Sequence, residues 1–228
     1  MEITKRLNKP EAMIFDMDGT LFKTETLLVP AYHRMFEGLR KEGLYEGDEP
    51  PVSRLMDSVG MVMDEIWARV LPDHDKSVQM RADELFLENE IRGLKEDPTE
   101  LYPGVADTLR RLKEQGVRLF VASNGLEPYV KGVSDAHQIM PLFEHIYSAG
   151  EYQTASKVHL IELLLRHHGI KNAWMVGDRS SDVKAGKENG LTVIGCAYAG
   201  FCGENELDGS DTIIKSFSEL LDLYSQSS

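Results

Sequence analysis

The sequence predicts an α/β fold, with a doubly wound parallel sheet (a Rossmann-like core) and a helical insertion near its start. From Asp97 onward, short apolar stretches alternate with stretches in which apolar residues recur at helical spacing, which is typical of a parallel sheet covered by helices on both faces. Another apolar run, residues 13–15, precedes this region and is separated from it by residues of helical character. We therefore expect a core domain of residues 1–22 and 97–228 and an α-helical cap domain of residues 23–96.

The strands of the predicted core are short and apolar, as buried parallel strands are. They are expected at residues 13–15, 117–122, 146–147, 173–176, 192–195 and 212–214. One helix is expected to open at Pro103-Gly104 and to end before Gly116, and others are expected at about residues 128–137, 156–168, 181–189 and 217–224. Gly116, Gly169 and Gly190 directly follow three of these helices, in the position where glycine commonly ends a helix.

The insertion carries apolar residues at helical spacing and is interrupted by glycines and by Pro50-Pro51. This pattern predicts about four helices with little strand. The methionines of the insertion either fill gaps between helices or line an adaptable pocket; they are Met35, Met56, Met61 and Met63.

Charge and composition disfavour several kinds of partner. The chain of 228 residues has 25 Lys and Arg against 38 Asp and Glu, a net charge of −13, which disfavours nucleic acid and anionic membranes. No run approaches the ~18 apolar residues of a membrane span, and residues 1–6 lack the apolar core of a signal peptide. Cys196 and Cys202 are too few for a disulfide framework. These features predict a cytoplasmic protein with reduced thiols.

Two aspartates directly follow the first predicted strand. Asp16 and Asp18 precede Gly19 and Thr20, at the carboxyl end of a strand, where open α/β sheets bind ligands. Like charges at ~4 Å repel by about 4 kcal/mol at an effective dielectric near 20. A divalent cation or a shared proton is the usual way to offset such repulsion. The alternative is an ordinary Asp-Gly turn.

Three further segments place polar side chains near strand ends or helix starts. Ser123-Asn124-Gly125 follows a strand and could cradle a phosphate, or form a simple turn. Lys157 begins a long helix, where a surface role is the alternative. Asp178 and Asp182 follow another strand, and the second carboxylate would lie in the first turn of a helix, where negative charge is favoured.

Together and in this order, the four segments resemble the signatures of the haloacid dehalogenase-like (HAD) superfamily. These signatures are a strand ending in Asp-x-Asp-Gly-Thr, a strand ending in Ser or Thr, a Lys, and Gly-Asp-x-x-x-Asp, and the resemblance spans residues 13 to about 203. The helical insertion lies where some members carry a cap between motifs one and two. Members of similar layout are phosphoglycolate phosphatase-like, nucleotidase-like and β-phosphoglucomutase-like enzymes.

The resemblance implies catalytic roles for both aspartates of the first motif. Asp16 would attack phosphorus and form an aspartyl phosphate. Asp18 would protonate the leaving oxygen and then activate water. Its presence implies phosphoryl transfer rather than carbon–halogen cleavage, because dehalogenases of the family lack this second aspartate.

The resemblance also implies a phosphate site and a Mg²⁺ site. Ser123 and the Asn124 backbone would hold the phosphoryl oxygens, and Lys157 would neutralise the nucleophile and the phosphate. Mg²⁺ would be bound by the Asp16 carboxylate, the Asp18 backbone carbonyl and the Asp178 carboxylate, a set of oxygen ligands that suits this ion. Asp182 would be an indirect or water-mediated partner of the metal.

The expected function is Mg²⁺-dependent hydrolysis of a small phosphorylated metabolite. Two alternatives stay open: a phosphosugar mutase that uses the same two aspartates, and a non-catalytic binding protein on this scaffold, which would be expected to lack part of the catalytic set. In the cap, Arg54, Lys76 and Arg81 either grip a second charged group of the substrate or belong to solvated helix faces.

The sequence departs from the family pattern at a few positions. Lys23 stands where the family often has Asp, so a contact near the cap could differ. Val158 follows the motif lysine in place of the common Pro. Arg179 and the loop of residues 199–203 match the family only loosely and could be structural.

Overall fold

The computed structural model describes residues 7–59, 61, 63–200, 203 and 205–228. Within these residues the strands are β1 (Ala12–Phe15), β2 (Arg118–Ser123), β3 (His145–Ser148), β4 (Ala173–Gly177), β5 (Thr192–Cys196) and β6 (Thr212–Ile214). They form one sheet in the order β3-β2-β1-β4-β5-β6, and every pairing is parallel. The predicted α/β class is confirmed, and this strand order is that of a doubly wound fold.

Between β1 and β2 the described chain first forms four helices, the number that the sequence predicts. They are α1 (Glu25–Lys41), α2 (Ser53–Met56), α3 (Met63–Val70) and α4 (Lys76–Glu96). The helices α1 and α4 pack along each other, and Phe36 and Phe86 lie in the apolar core. The Arg34 Nη2 atom of α1 lies 2.5 Å from Asp97 Oδ2, at the end of α4. The bounds of the cap, residues 23–96, stay a prediction.

The remaining helices cover the sheet. They are α5 (Val105–Glu114), α6 (Glu127–Ala136), α7 (Ala149–Tyr152), α8 (Lys157–His168), α9 (Ser180–Glu188) and α10 (Glu219–Gln226). Five of them lie within two residues of the predicted bounds. The exception is α7, a single turn, because four residues are too few to show helical periodicity. Gly169 ends α8 with φ of +64°, a left-handed conformation that favours glycine.

The first strand is buried on both of its faces, which explains its uninterrupted apolar sequence. Met13 and Phe15 point into one apolar cluster, while Ala12 and Ile14 point into the other. Leu109 of α5 belongs to the first cluster. On the opposite face of the sheet, α8 contributes Leu160 and neighbouring residues to the second cluster. The sheet is therefore held between two layers of helices, and β1 lies at its centre.

The structure bears only in part on the predictions about a signal peptide, the cysteines and a membrane span. Residues 1–6 and Cys202 lie outside the described residues. Cys196 is buried and is not in a disulfide. Among the helices that the structure describes, none has both the length and the apolar character that a membrane crossing requires.

Candidate active site

The carboxyl ends of three neighbouring strands bring the predicted residues of the core together. Asp16 follows β1, Ser123 ends β2, and Asp178 follows β4. Because β1 lies between β2 and β4, these side chains share one edge of the sheet. The Asp16 backbone N–H donates to the Val176 carbonyl at 2.9 Å, which extends the strand pairing by one residue. The acidic residues thus lie at the switch point of the sheet, where such folds bind ligands.

Lys157 connects two of the acidic residues. It is the first residue of α8, directly after Ser156, whose hydroxyl caps the helix. The Lys157 Nζ atom lies 2.7 Å from Asp16 Oδ1 and 2.6 Å from Asp182 Oδ1. The side chain is buried, which by itself would lower the pKa of the ammonium group, but the two carboxylates outweigh burial and raise it. The lysine is therefore a fixed positive charge among the acids.

Three buried carboxylates form a cluster that could hold a metal ion. Asp16, Asp178 and Asp182 each offer one oxygen atom, and these atoms lie within 4.8 Å of one another. Burial raises the pKa of Asp16 to about 7, against the opposing effect of Lys157. Burial also raises the pKa of Asp178 well above its usual range, and the charge of Asp16 adds to the rise. The fold thus concentrates more negative charge than Lys157 neutralises, and a cation would relieve this imbalance.

Backbone geometry makes room for the Asp178 carboxylate. Gly19 has φ of +74°, and a Cβ atom at this position would overlap the Asp178 carboxylate. The neighbouring Thr20 hydroxyl donates to Asp178 Oδ1 at 3.1 Å. Gly19 therefore serves both the turn after β1 and the close approach of two loops.

Both carboxylate oxygens of Asp182 have protein partners. Oδ1 accepts from Lys157 at 2.6 Å, and Oδ2 accepts from the Arg179 backbone N–H at 3.0 Å, at the start of α9. Asp182 thus holds Lys157 and closes the first turn of its own helix. These contacts agree with an indirect role beside a metal better than with direct coordination.

Asp18 is held by two hydroxyl groups. Thr24 Oγ1 donates to Asp18 Oδ1 at 2.8 Å, and the Tyr129 hydroxyl donates to the same oxygen atom. Burial raises the pKa of Asp18, and the two hydroxyl donors offset part of that rise. Tyr129 belongs to α6 and was not among the predicted site residues. A single tyrosine within an apolar helix pattern carries no signal that distinguishes it from a core residue.

A cavity between the cap helices and the sheet opens onto these residues. On the core side it is lined by Asp16, Asp18, Ser123, Asn124 and Tyr129. Apolar residues dominate the cap side, and they include Leu28, Leu55, Val59, Met61, Met63, Ile66, Phe86 and Leu87. Both alternatives for the cap methionines therefore occur: Met61 and Met63 line the cavity, whereas Met35 and Met56 are buried in the apolar core.

The basic residues proposed for substrate binding lie away from this cavity. Lys76 pairs with Asp64 at 2.8 Å, and Arg81 pairs with Glu42 at 2.6 Å. Arg54 lines a separate pocket on the cap. The sequence-based alternative, that these side chains belong to solvated helix faces, describes Lys76 and Arg81 better than a role in binding.

Arg179 and Lys23 both join cap and core segments. The Arg179 Nη2 atom donates to the Met56 carbonyl of the cap at 3.2 Å. Its Nη1 atom lies 3.5 Å from Glu206 Oε1. Lys23, which stands where the family often has Asp, lies with its Nζ atom 2.5 Å from Glu100 Oε2. Of the loop at residues 199–203, Phe201 and Cys202 lie outside the described residues.

The doubly wound sheet thus carries a lysine-bridged acidic cluster at its switch point, facing a cavity under helices. The chain belongs to the haloacid dehalogenase-like hydrolases, since the model of that family matches residues 13–196. It is 30% identical to the phosphoglycolate phosphatase of Nitrosococcus oceani, over 96% of this chain and 99% of that protein. It is 28% identical to the phosphoglycolate phosphatase of Escherichia coli, over 91% and 89%.

Solved structures show the same fold. A predicted phosphoglycolate phosphatase from Haemophilus somnus superposes with a TM-score of 0.80 at 22% identity, over 95% of this chain and 98% of that chain. CbbY from Rhodobacter sphaeroides, solved in complex with phosphate, gives 0.78 at 26% identity, over 95% and 99%. The chain is an enzyme, a phosphatase of the haloacid dehalogenase-like family.

Proposed function

We propose that the protein is a Mg²⁺-dependent phosphatase that hydrolyses a small phosphomonoester through an aspartyl phosphate on Asp16. The observation that carries this proposal is the 2.7 Å contact between Lys157 Nζ and Asp16 Oδ1, inside a buried acidic cluster that opens onto a cavity. A carboxylate held by a fixed cation can approach an anionic phosphate, because the lysine lowers their mutual repulsion.

In the first step an Asp16 oxygen atom would bond to phosphorus as the ester P–O bond breaks. Asp18 would give its proton to the leaving oxygen, which departs as an alcohol. In the second step Asp18 would take a proton from water, whose oxygen atom attacks phosphorus and releases phosphate and the Asp16 carboxylate. The Thr24 and Tyr129 hydroxyls support this role, since both hold Oδ1 of Asp18 and so orient its other oxygen atom for proton transfer.

The donor set fits Mg²⁺, which prefers oxygen ligands and retains several waters. The Asp16 and Asp178 carboxylates and the Asp18 backbone carbonyl would hold the ion, and bound Mg²⁺ would supply charge neutralisation for the phosphoryl group. A phosphate ester brings a charge of up to about −2, and Lys157 offsets only one negative charge of the cluster. Arg179 adds a second positive charge, since its Nε atom lies 3.7 Å from Asp178 Oδ2.

The similar proteins support a small phosphorylated substrate. The relatives from Nitrosococcus oceani and Escherichia coli are named phosphoglycolate phosphatase, and CbbY was solved with phosphate. Phosphoglycolate is therefore the first compound to compare with other small phosphomonoesters. The net charge of −13 also argues against nucleic acid and anionic membranes as partners.

Replacement of the nucleophile and removal of the metal test the proposal. With p-nitrophenyl phosphate, Asp16→Asn should lower phosphate release by more than about 10³-fold, whereas Asp135→Asn, at an exposed position on α6, should leave it unchanged. Treatment with EDTA should stop turnover, and added Mg²⁺ should restore it. Near-normal turnover by Asp16→Asn, or activity that persists in EDTA, would refute the mechanism. An isomerised sugar phosphate as the main product would identify a mutase instead.

A further inference from the structure

A buried glutamate that the proposed mechanism does not use lines the cavity. Glu90 lies on α4 and is 7% exposed, and it faces the same cavity as Asp16 and Asp18. In the described part of the chain, no side chain or backbone N–H donates a hydrogen bond to Glu90, and no basic residue pairs with it. Buried carboxyl groups nearly always have a partner. An unpartnered one beside a substrate cavity therefore points to a ligand group.

The described lining of the cavity carries no basic side chain that would attract a second anionic group. Among the described residues that line it, none is Lys, Arg or His. Gly60 and Val62, which are next in sequence to the lining residues Val59, Met61 and Met63, are also uncharged residue types. Burial raises the pKa of Glu90 well above its usual range, and the acids Asp18 and Asp83 add to that rise. In either protonation state Glu90 accepts hydrogen bonds and supplies no positive charge.

We infer that Glu90 makes the enzyme select phosphomonoesters whose leaving group carries no negative charge and has an apolar stem with a hydrogen-bond donor, a hydroxyl or an ammonium. This inference rests on the proposed phosphatase function. The stem would contact apolar cap residues such as Leu28, Ile66 and Phe86, which line the cavity. The donor would supply the partner that Glu90 lacks among the described residues.

An anionic leaving group such as glycolate would be disfavoured at this site. Its carboxylate would lose water in a cavity that returns no positive charge, and it would meet a side chain that donates at most one proton. The end of the cavity that would receive the phosphoryl group does have a positive charge, because Lys157 Nζ lies 2.7 Å from Asp16 Oδ1. One end of the cavity therefore favours an anionic phosphoryl group, and the other end favours a leaving group without negative charge. The inference separates this chain from relatives that are named for phosphoglycolate.

Two matched series of esters test the inference. The two-carbon series is phosphoglycolate, 2-hydroxyethyl phosphate and phosphoethanolamine. The four-carbon series carries the same three end groups. At the chain length that reacts better, we expect kcat/KM for the hydroxyl or ammonium ester to exceed that of the carboxylate ester by at least about tenfold, because a carboxylate that loses water without gaining a positive partner is strongly disfavoured.

Variants on α4 identify the residue responsible. Glu90→Gln, which preserves shape, should reduce the preference against the carboxylate ester by about tenfold, since an uncharged amide that donates hydrogen bonds replaces the carboxyl group. Glu88→Gln is the matched control, because that side chain is 67% exposed on the same helix, and it should leave the preference unchanged. Thermal unfolding of each variant checks that the fold is retained.

The outcomes separate the inference from the function on which it rests. A carboxylate ester that reacts as well as its partners, or a preference that survives Glu90→Gln, overturns the inference and leaves the phosphatase intact. If neither the six esters nor p-nitrophenyl phosphate releases phosphate, the proposed function fails and the inference fails with it.

Discussion

Replacing Lys157 by Met tests whether this ammonium group holds the acidic cluster together. Methionine has a similar length and tolerates burial, but it removes the charge. Asp16 and Asp182 would lose contacts of 2.7 and 2.6 Å. Their nearest carboxylate oxygens lie within 4.8 Å of each other, a separation at which two charges repel by about 3.5 kcal/mol at an effective dielectric of 20. Removing one member of a buried ion pair typically costs ~3–5 kcal/mol.

The repulsion between the two carboxylates and the typical cost of breaking a buried ion pair both predict that Lys157→Met loses about 3–5 kcal/mol in the free energy of unfolding of the metal-free protein. Urea unfolding in EDTA at pH 8 measures it, a pH above the pKa of about 7 to which burial raises Asp16 in the protein that retains Lys157. Added Mg²⁺ should recover part of the loss, by about 2.7 kcal/mol at one hundred times its Kd. Phosphatase activity should fall with the loss of the phosphate-facing charge.

Lys184→Met provides the control for this experiment. Its side chain is 67% exposed and lies 3.9 Å from Glu188 on the same helix, so its removal should change the free energy of unfolding by less than about 0.5 kcal/mol. A loss below about 1 kcal/mol for Lys157→Met would mean that the acids accommodate each other without the lysine, by taking up protons. That result would refute the role given to Lys157.

Three further changes probe other parts of the structure. Tyr129→Phe removes one of the two donors to Asp18 and should lower kcat about tenfold, as expected for a hydrogen bond to a charged group, with the circular dichroism spectrum unchanged. Gly19→Ala places a side chain at φ of +74° and should lower the free energy of unfolding by at least about 1–3 kcal/mol in urea titrations. Hydrogen bonding to Arg34 lowers the pKa of Asp97. The stabilisation is therefore present above pH ~4 and lost as the pH falls through the folded-state pKa. Asp97→Asn should cost about 0.5–1 kcal/mol at pH 7 and progressively less as the pH falls below about 4.

The core half of the site could be predicted because a parallel sheet fixes where strand ends meet. Asp16, Ser123 and Asp178 each stand at or directly after the last residue of a strand, and neighbouring parallel strands end at one edge. A correct strand assignment was therefore sufficient to bring these residues together. Lys157 is different. A lysine at the start of a helix is ordinary, so only the family resemblance indicated that it would lie beside Asp16.

The cap side of the site, and Tyr129 on the core side, could not be predicted from periodicity. Tyr129 meets Asp18 across 111 positions of sequence, and no local pattern encodes such a contact. Glu90 stands in a helix with many charged residues, where a glutamate is normally solvated. It is nevertheless buried, on a helix that packs against α1, α3 and α6, and no local pattern encodes that packing. For the same reason, the sequence left open whether Arg54, Lys76 and Arg81 bind substrate.

The residues at the strand ends and the cap residues that line the cavity differ in how rigidly the backbone supports them. This difference suits the first group to catalysis and the second to substrate selection. The acidic residues sit on backbone that is fixed by strand pairing, as the 2.9 Å bond from Asp16 N to Val176 O shows, and groups that must meet phosphorus at close tolerance need such support. The cap contributes to the cavity mainly apolar side chains from helices, which can change without disturbing the sheet. A substitution such as Glu90→Gln should therefore alter which ester is hydrolysed before it alters how the P–O bond is broken.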